Sequence, residues 1–218
     1  MGTAERRRMS CSFLDSVGAG VQKRGDMAKK IPDRRIQRTR TLLQDALISM
    51  VVEKGYDATT VQDIVDRANV GRATFYAHFA DKETLFHSRL EDLRSFIAEQ
   101  QRQSPGELGF SLVMLEHAHS NLAVWRAIAG RESGTFALQR IQRLIADLTN
   151  SDLSADAVEG TAEQRELTVQ YIAGAFMSVL TWWLERGAQP SPATVDAAFR
   201  RLVFQGLGGA KPVAGRAV

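Results

Sequence analysis

The 218-residue chain has a single cysteine, Cys11. It can close no internal disulfide, so a reducing cytoplasm is the compartment it fits, and the thiol reads as a bystander near the amino terminus. Cysteine pairs, a glycine-rich phosphate loop and a nucleophile motif are all missing, which removes the common signatures of zinc modules, nucleotide-binding loops and hydrolases. No apolar run is expected to reach the length of a membrane span, and Arg6, Arg7 and Arg8 are followed by no apolar segment of the signal-peptide kind. Period-two alternation and internal repeats are also missing, which argues against strands and solenoids. Histidine is scarce at four. His117 and His119 lie two apart on a helical pattern and so face different ways, whereas helical metal pairs use spacings of three or four. His87 reads as a surface or packing residue. No cofactor, no metal and no enzymatic chemistry are expected.

Apolar residues make up 44% of the chain, enough for a real core. The net charge of +3 is modest but unevenly placed. Residues 1–40 hold 11 Lys/Arg against 4 Asp/Glu, a surplus of seven, whereas residues 105–218 hold 10 against 11. A positive amino-terminal end suits a polyanion such as nucleic acid.

Helical periodicity begins at Asp33 and continues to Lys54. Ile36, Leu43, Leu47, Met50 and Val51 form one stripe, and Gly55 supplies a left-handed stop. Thr60 can cap a helix running to about Ala68, with Asp63 reaching back as in a capping box. Asn69, Val70 and Gly71 make a turn, and a short helix follows from Arg72 to His78. Phe75 and Phe79 point inward, which leaves Arg72, Thr74, Tyr76, Ala77 and His78 on the flanks and outer face. Asp81 caps a longer helix, with Lys82 in its first turn and Leu85, Phe86, Leu90, Leu93 and Ile97 as its stripe to about Gln101. A basic group, a hydroxyl, a phenol and an imidazole on one short exposed helix suit a nucleic-acid surface. An ordinary helical hairpin with a solvated polar face shows the same pattern.

The run from Val70 to Leu85, VGRATFYAHFADKETL, resembles the end of the DNA-binding domain of the tetracycline-repressor (TetR) family. Thr60 and the Gly55-Tyr56 pair match the same family, and the likeness covers about Ile36 to Phe96. The resemblance implies an all-α fold of about nine helices. An amino-terminal three-helix DNA-binding domain with a helix-turn-helix would be joined by a linking helix to a carboxy-terminal helical domain for ligand binding and dimerisation. It also implies a homodimer that reads a palindromic double-stranded operator, one recognition helix in each of two successive major grooves about 34–36 Å apart. Thr60, Thr74, Tyr76, His78 and Lys82 match positions that mostly hold phosphates, and Arg72 sits where a side chain reaches base edges. Ala77 departs from the larger residues usual there and offers only a methyl group. Met27 to Pro32 resembles a more usual start for the family, so residues 1–26 read as an extension. Lys29, Lys30, Arg34 and Arg35 are then the better candidates for a basic arm.

The expected division is a disordered basic tail at 1–32, the DNA-binding domain at 33–80, the linking helix at 81–104, the effector and dimerisation domain at 105–207 and a tail at 208–218. Ser104, Pro105 and Gly106 mark the boundary. Further helices are expected from Leu108 to Asn121, Ala123 to Ala129, Phe136 to Leu148, Glu163 to Arg186 and Thr194 to Gln205, with 150–160 as an acidic loop. Ser191 and Pro192 can cap the last helix. Phe110, Met114, Trp125 and Phe136 are candidates for lining a pocket for a small, largely apolar effector, although residues at this spacing are more often plain core.

The long helix from Glu163 is apolar nearly all round. Val169, Ile172, Phe176, Val179 and Trp183 form a stripe for the subunit's own core. Tyr171, Gly174, Ser178 and Trp182 form a second stripe for a partner, joined by Phe199 and Leu202 of the final helix. The function expected is a dimeric regulator of transcription, a repressor released by an effector. A helical small-molecule-binding or catalytic domain without sequence-specific DNA binding is the other reading.

Overall fold

The computed structural model describes residues 34–103, 106–130, 135–153 and 161–206, and every regular element among them is an α-helix. The expected tails, Cys11 and the Ser104-Pro105 boundary lie outside the described residues. The order is α1 (Arg34–Lys54), α2 (Val61–Ala68), α3 (Arg72–His78), α4 (Lys82–Gln103), α5 (Phe110–Ser120), α6 (Leu122–Ala129), α7 (Thr135–Asp152), α8 (Ala162–Glu185) and α9 (Pro192–Gln205).

Most helix ends follow from local chemistry. The Thr60 hydroxyl accepts from the Asp63 amide, and the Asp63 carboxylate accepts from the Thr60 amide at 2.7 Å, so both halves of the capping box are present. Asn69 ends α2 in the left-handed region at φ 52°, and Gly55 ends α1 at φ 83°. The Asp81 carboxylate accepts from the Thr84 amide at 2.6 Å, and Ser191 caps α9 with Pro192 in its first turn. One end was misplaced by the periodicity. α7 runs on through Asp152, and Arg165 closes it by donating to the Asn150 and Leu153 carbonyls, each at 2.9 Å. That tie from α8 is not local, so nothing near residue 150 advertises it.

α1, α2 and α3 form a three-helix unit around Leu43, Leu47, Ile64, Val65, Phe75 and Phe79, all buried. Lys54 pairs with Asp63 at 2.6 Å, and Arg67 with Glu53, clamping α1 to α2. Ile36 departs from the expected stripe, because it is 46% exposed. The first turns of α1, 34–38, are exposed among the described residues. Arg40, whose guanidinium lies 4.7 Å above the Phe79 ring, marks where α1 joins the unit.

α4 carries the chain away from this unit and packs on α5 and α7, while α6 packs back on α1. Phe110, Phe176 and Phe199 meet edge to face at 5.4 and 5.2 Å in the centre of the carboxy-terminal half. The expected core stripe of α8 is buried at Val169, Ile172, Phe176 and Trp183. Contrary to the expectation from the sequence, α8 is long and apolar enough to span a membrane by length and composition. Only part of that apolar surface is buried here, which leaves a second face open.

Polar contacts, part buried and part exposed, join the two halves. Gln44 of α1 donates to Asp92 of α4 at 2.8 Å, and the buried Arg89 guanidinium lies 3.8 Å from the same carboxylate. His117 packs against Phe96 and accepts a hydrogen bond at Nδ1 from Trp125 Nε1 at 3.3 Å. Burial, helped by the Arg89 charge, lowers the His117 pKa from 6.5 to about 4. A depressed histidine is neutral in the folded state, while the unfolded chain takes up the proton as pH falls below its own pKa. Its contribution to stability is therefore complete above about pH 6.5 and lost as pH falls to about 4, a swing of roughly 3 kcal/mol. Denaturation of the wild type across that window should show the loss, and His117→Gln should flatten the slope. An equal slope in both proteins would assign the acid sensitivity to other groups.

Candidate DNA-reading surface

α3 has seven residues and shows two chemical faces. Phe75 is fully buried, and Phe79 at the end of the helix is 3% exposed. Between and beside them Arg72, Ala77 and Tyr76 are exposed, and Thr74 and His78 are half-buried. Tyr76 is 52% exposed, its ring held edge-on to Phe75 at 5.4 Å. That contact fixes the ring while leaving the phenol free to donate or accept. Arg34, Arg35 and Arg38 are exposed along the first turns of α1, on the same three-helix unit.

Two of the candidate phosphate contacts are already engaged inside the protein. The Thr60 hydroxyl donates to Asp63 Oδ2 at 2.5 Å, and this carboxylate also takes the Lys54 ammonium. These hydrogen bonds hold the Asp63 carboxyl well below the usual carboxylate range. Thr60 is therefore a helix cap first, though it remains exposed. Lys82 differs more from the reading by motif. Its ammonium donates to the carbonyls of Tyr56 and Thr59, each at 2.8 Å, and lies 4.3 Å from the Tyr56 ring centre. Burial draws its pKa down from the ordinary lysine value. Two of its three donors are thus spent on the loop that leads into α2. Nothing in the local sequence signals this, because the carbonyls lie 26 and 23 residues away.

The four candidates for an effector pocket are not brought together. Phe110 and Met114 are fully buried, Phe110 against Phe176. Trp125 stands edge-on to His117 at 6.0 Å. Phe136 reaches the other way and stacks on Tyr56 at 5.4 Å. The recesses found among the described residues lie instead along the outer side of α8 and between α8 and α9, lined by residues such as Met177, Trp182, Ala198 and Leu202.

The second face of α8 is open. Leu167, Tyr171 and Trp182 are 70, 63 and 44% exposed, and Leu202 of α9 is 42% exposed. Ser178 is exposed between them, and a Cβ added at Gly174 would meet no heavy atom within 4 Å. Phe199 is the correction to this set. It is 2% exposed and packs edge-on to Phe176, so it forms the floor of the α8/α9 recess and no outward contact.

Residues 43–88, which span α2, α3 and most of α1, match the family described as bacterial regulatory proteins, tetR family. These residues carry the amino-terminal domain of the TetR family. The HTH-type transcriptional repressor KstR2 of Mycolicibacterium smegmatis is 25% identical over 198 residues, 83% of this chain and 96% of that one. The uncharacterized HTH-type transcriptional regulator YxbF of Bacillus subtilis is 28% identical over 197 residues, 86% of this chain and 50% of that one. The chain thus spans about half the length of YxbF. A TetR transcriptional regulator from Streptococcus agalactiae has the same fold, with a TM-score of 0.63 and 26% identity over 78% of this chain and 96% of that one. These relatives are regulators of transcription rather than enzymes.

The Lys82 geometry changes what its loss should do. Lys82→Ala leaves two backbone carbonyls without their charged donor, which should destabilise the protein by about 1–3 kcal/mol before any DNA is added. Urea denaturation monitored by helix content measures it. A variant as stable as wild type that only binds DNA more weakly would restore Lys82 to a purely phosphate-binding role.

Proposed function

We propose that the protein is a homodimeric, sequence-specific DNA-binding repressor of transcription in the cytoplasm, reading a palindromic operator with α3 of each subunit. The observation that carries the reading is the division of α3 between a buried phenylalanine pair and an outer face of Arg72, Thr74, Tyr76, Ala77 and His78. Tyr76, Thr74 and His78 have the donors to hold phosphates, with the exposed arginines at the start of α1 as further cations. Arg72 is free of the core and can present two parallel N–H groups to a guanine edge. The domain boundaries that fit this reading are 33–80 for DNA binding, 81–104 for the linking helix and 105–207 for effector binding and dimerisation.

Dimerisation is assigned to the open face of α8 and α9. Tyr171 and Trp182 stand at its ends, Gly174 and Ser178 between them permit close approach, and Leu202 adds an apolar contact. A small, largely apolar effector held among α5 to α8 need only bind two arrangements of the dimer unequally to release DNA. The apolar character of Phe110 and Met114 in that region supports the chemistry, while Trp125 and Phe136 belong to separate contacts.

Fluorescence anisotropy on DNA flanking the protein's own coding region, at about 150 mM salt, tests the function; affinity no greater than for random DNA would sink it. Arg72→Ala should cost roughly 1–3 kcal/mol at the operator and relax preference at one base pair, read by competition with single-base variants. Gly174→Leu has room in the subunit and should keep helix content while shifting the sedimenting species toward monomer and abolishing operator binding. An unaltered dimer mass for that variant would exclude this face as the contact.

A further inference from the structure

Phe136 opens α7, yet its ring serves the other half of the molecule. It lies nearly parallel to Tyr56, with 12° between the planes and 5.4 Å between centres, and 6.4 Å from Phe86 of α4. Tyr56 and Phe86 meet at 5.0 Å, so three aromatic rings from the α1–α2 loop, α4 and α7 close a triangle. A cation flanks this stack at each end. The Arg140 guanidinium is 5.1 Å from the Phe136 ring, and the Lys82 ammonium is 4.3 Å from the Tyr56 ring. Lys82 also holds the carbonyl of Thr59, the residue before the Thr60 cap of α2. An unbroken set of contacts therefore runs from the first turn of α7 to the first residue of the helix-turn-helix, without following the length of α4.

One group in this stack is out of place. Tyr56 is 2% exposed, and its hydroxyl has no hydrogen-bond partner. A phenylalanine would fill the same volume without stranding a polar atom, so the closed stack is held against the cost of dehydrating that hydroxyl. Such a contact is poised to part when α7 moves, because parting it returns the hydroxyl to water.

We propose that Phe136 is a positioning residue for DNA binding: it fixes the entry of α2, and through it α3, to the α7–α8 layer by stacking on Tyr56. The consequence for DNA rests on the function proposed above; the contact itself does not. Shifts of α7 reach the reading helix through this stack in addition to any movement of α4. The opposing Tyr56 hydroxyl sets how readily the hold is released.

Hydrogen–deuterium exchange on the full chain tests the contact with no DNA present. Phe136→Ala should speed exchange across residues 56–66 about tenfold while leaving residues 169–183 of α8 unchanged. Phe136→Tyr, which keeps the ring, should restore the wild-type rate, and Tyr56→Phe should slow it below wild type. The affinity of Phe136→Ala for DNA flanking the coding region should fall about tenfold, within the usual range for coupled sites. Faster exchange confined to α7 and α8, with 56–66 unaltered, would mean that Phe136 merely packs its own helix and would overturn the proposal. If Phe136→Ala unfolds α8 as well, Tyr56→Phe decides: exchange at 56–66 that is unchanged or faster overturns it. A wild-type chain that binds no DNA yet shows the expected exchange pattern overturns the function above and upholds the contact.

Discussion

A helix of seven residues does not hold itself together in water, because nucleating it costs more than two turns of hydrogen bonds return. α3 exists because Phe75 and Phe79 are buried among Leu43, Leu47, Ile64 and Val65. The DNA-reading surface proposed for α3 depends on that burial, since it turns one edge of α3 inward and thereby decides which side chains face out. Gly71 enters the helix in an extended conformation and Asn69 leaves the preceding one left-handed, so the turn between α2 and α3 leaves little freedom in their relative angle. The reading face is rigid because its reverse side is core.

The two halves of the molecule are joined by contacts of opposite character. On one side Gln44, Asp92 and Arg89 form one polar set and His117 with Trp125 another, in a part-buried region. Buried polar groups are directional and tolerate little displacement once paired. On the other side Tyr56, Phe86 and Phe136 meet as rings, whose attraction is broad in angle and distance. The first kind of contact fixes a register, and the second permits sliding within it. Under the function proposed, a carboxy-terminal half that moves the DNA-reading unit without detaching from it would use both.

Helix ends were legible in the sequence wherever their cause was local. Thr60 with Asp63, Asp81, Ser191 with Pro192, and Gly55 each act within four residues, and all do what their residue types suggest. The buried stripe of α8 was legible for the same reason, since helical periodicity is a property of the segment itself. What the sequence hid was settled at long range. Ile36 has the periodicity of a core residue but is exposed among the described residues. Lys82 looks like a surface cation until the loop 26 residues earlier is folded under it. Phe136 and Trp125 share a composition and a neighbourhood in the chain but point to different partners. The burial of Arg89 is not legible either, because a guanidinium on an amphipathic helix is ordinarily solvated and only the packing of α4 against other helices makes it otherwise.

In the dimer proposed above, the open stripe of α8 would meet its partner through Tyr171, Gly174, Ser178 and Trp182, none of them charged, with the Arg186 guanidinium 4.7 Å from the Trp182 ring at one end, so a partner would be sorted chiefly by fit. In a cell that makes several regulators of the same build, mixed pairs of the proposed kind would then be excluded largely by the sizes of a few side chains around Gly174. A duplicated gene could part from its parent through one exchange of a small residue for a larger one, matched by a hollow opposite. New lineages of regulator would then arise at this stripe, away from the proposed DNA-reading helix, before either copy had changed the sequence it reads.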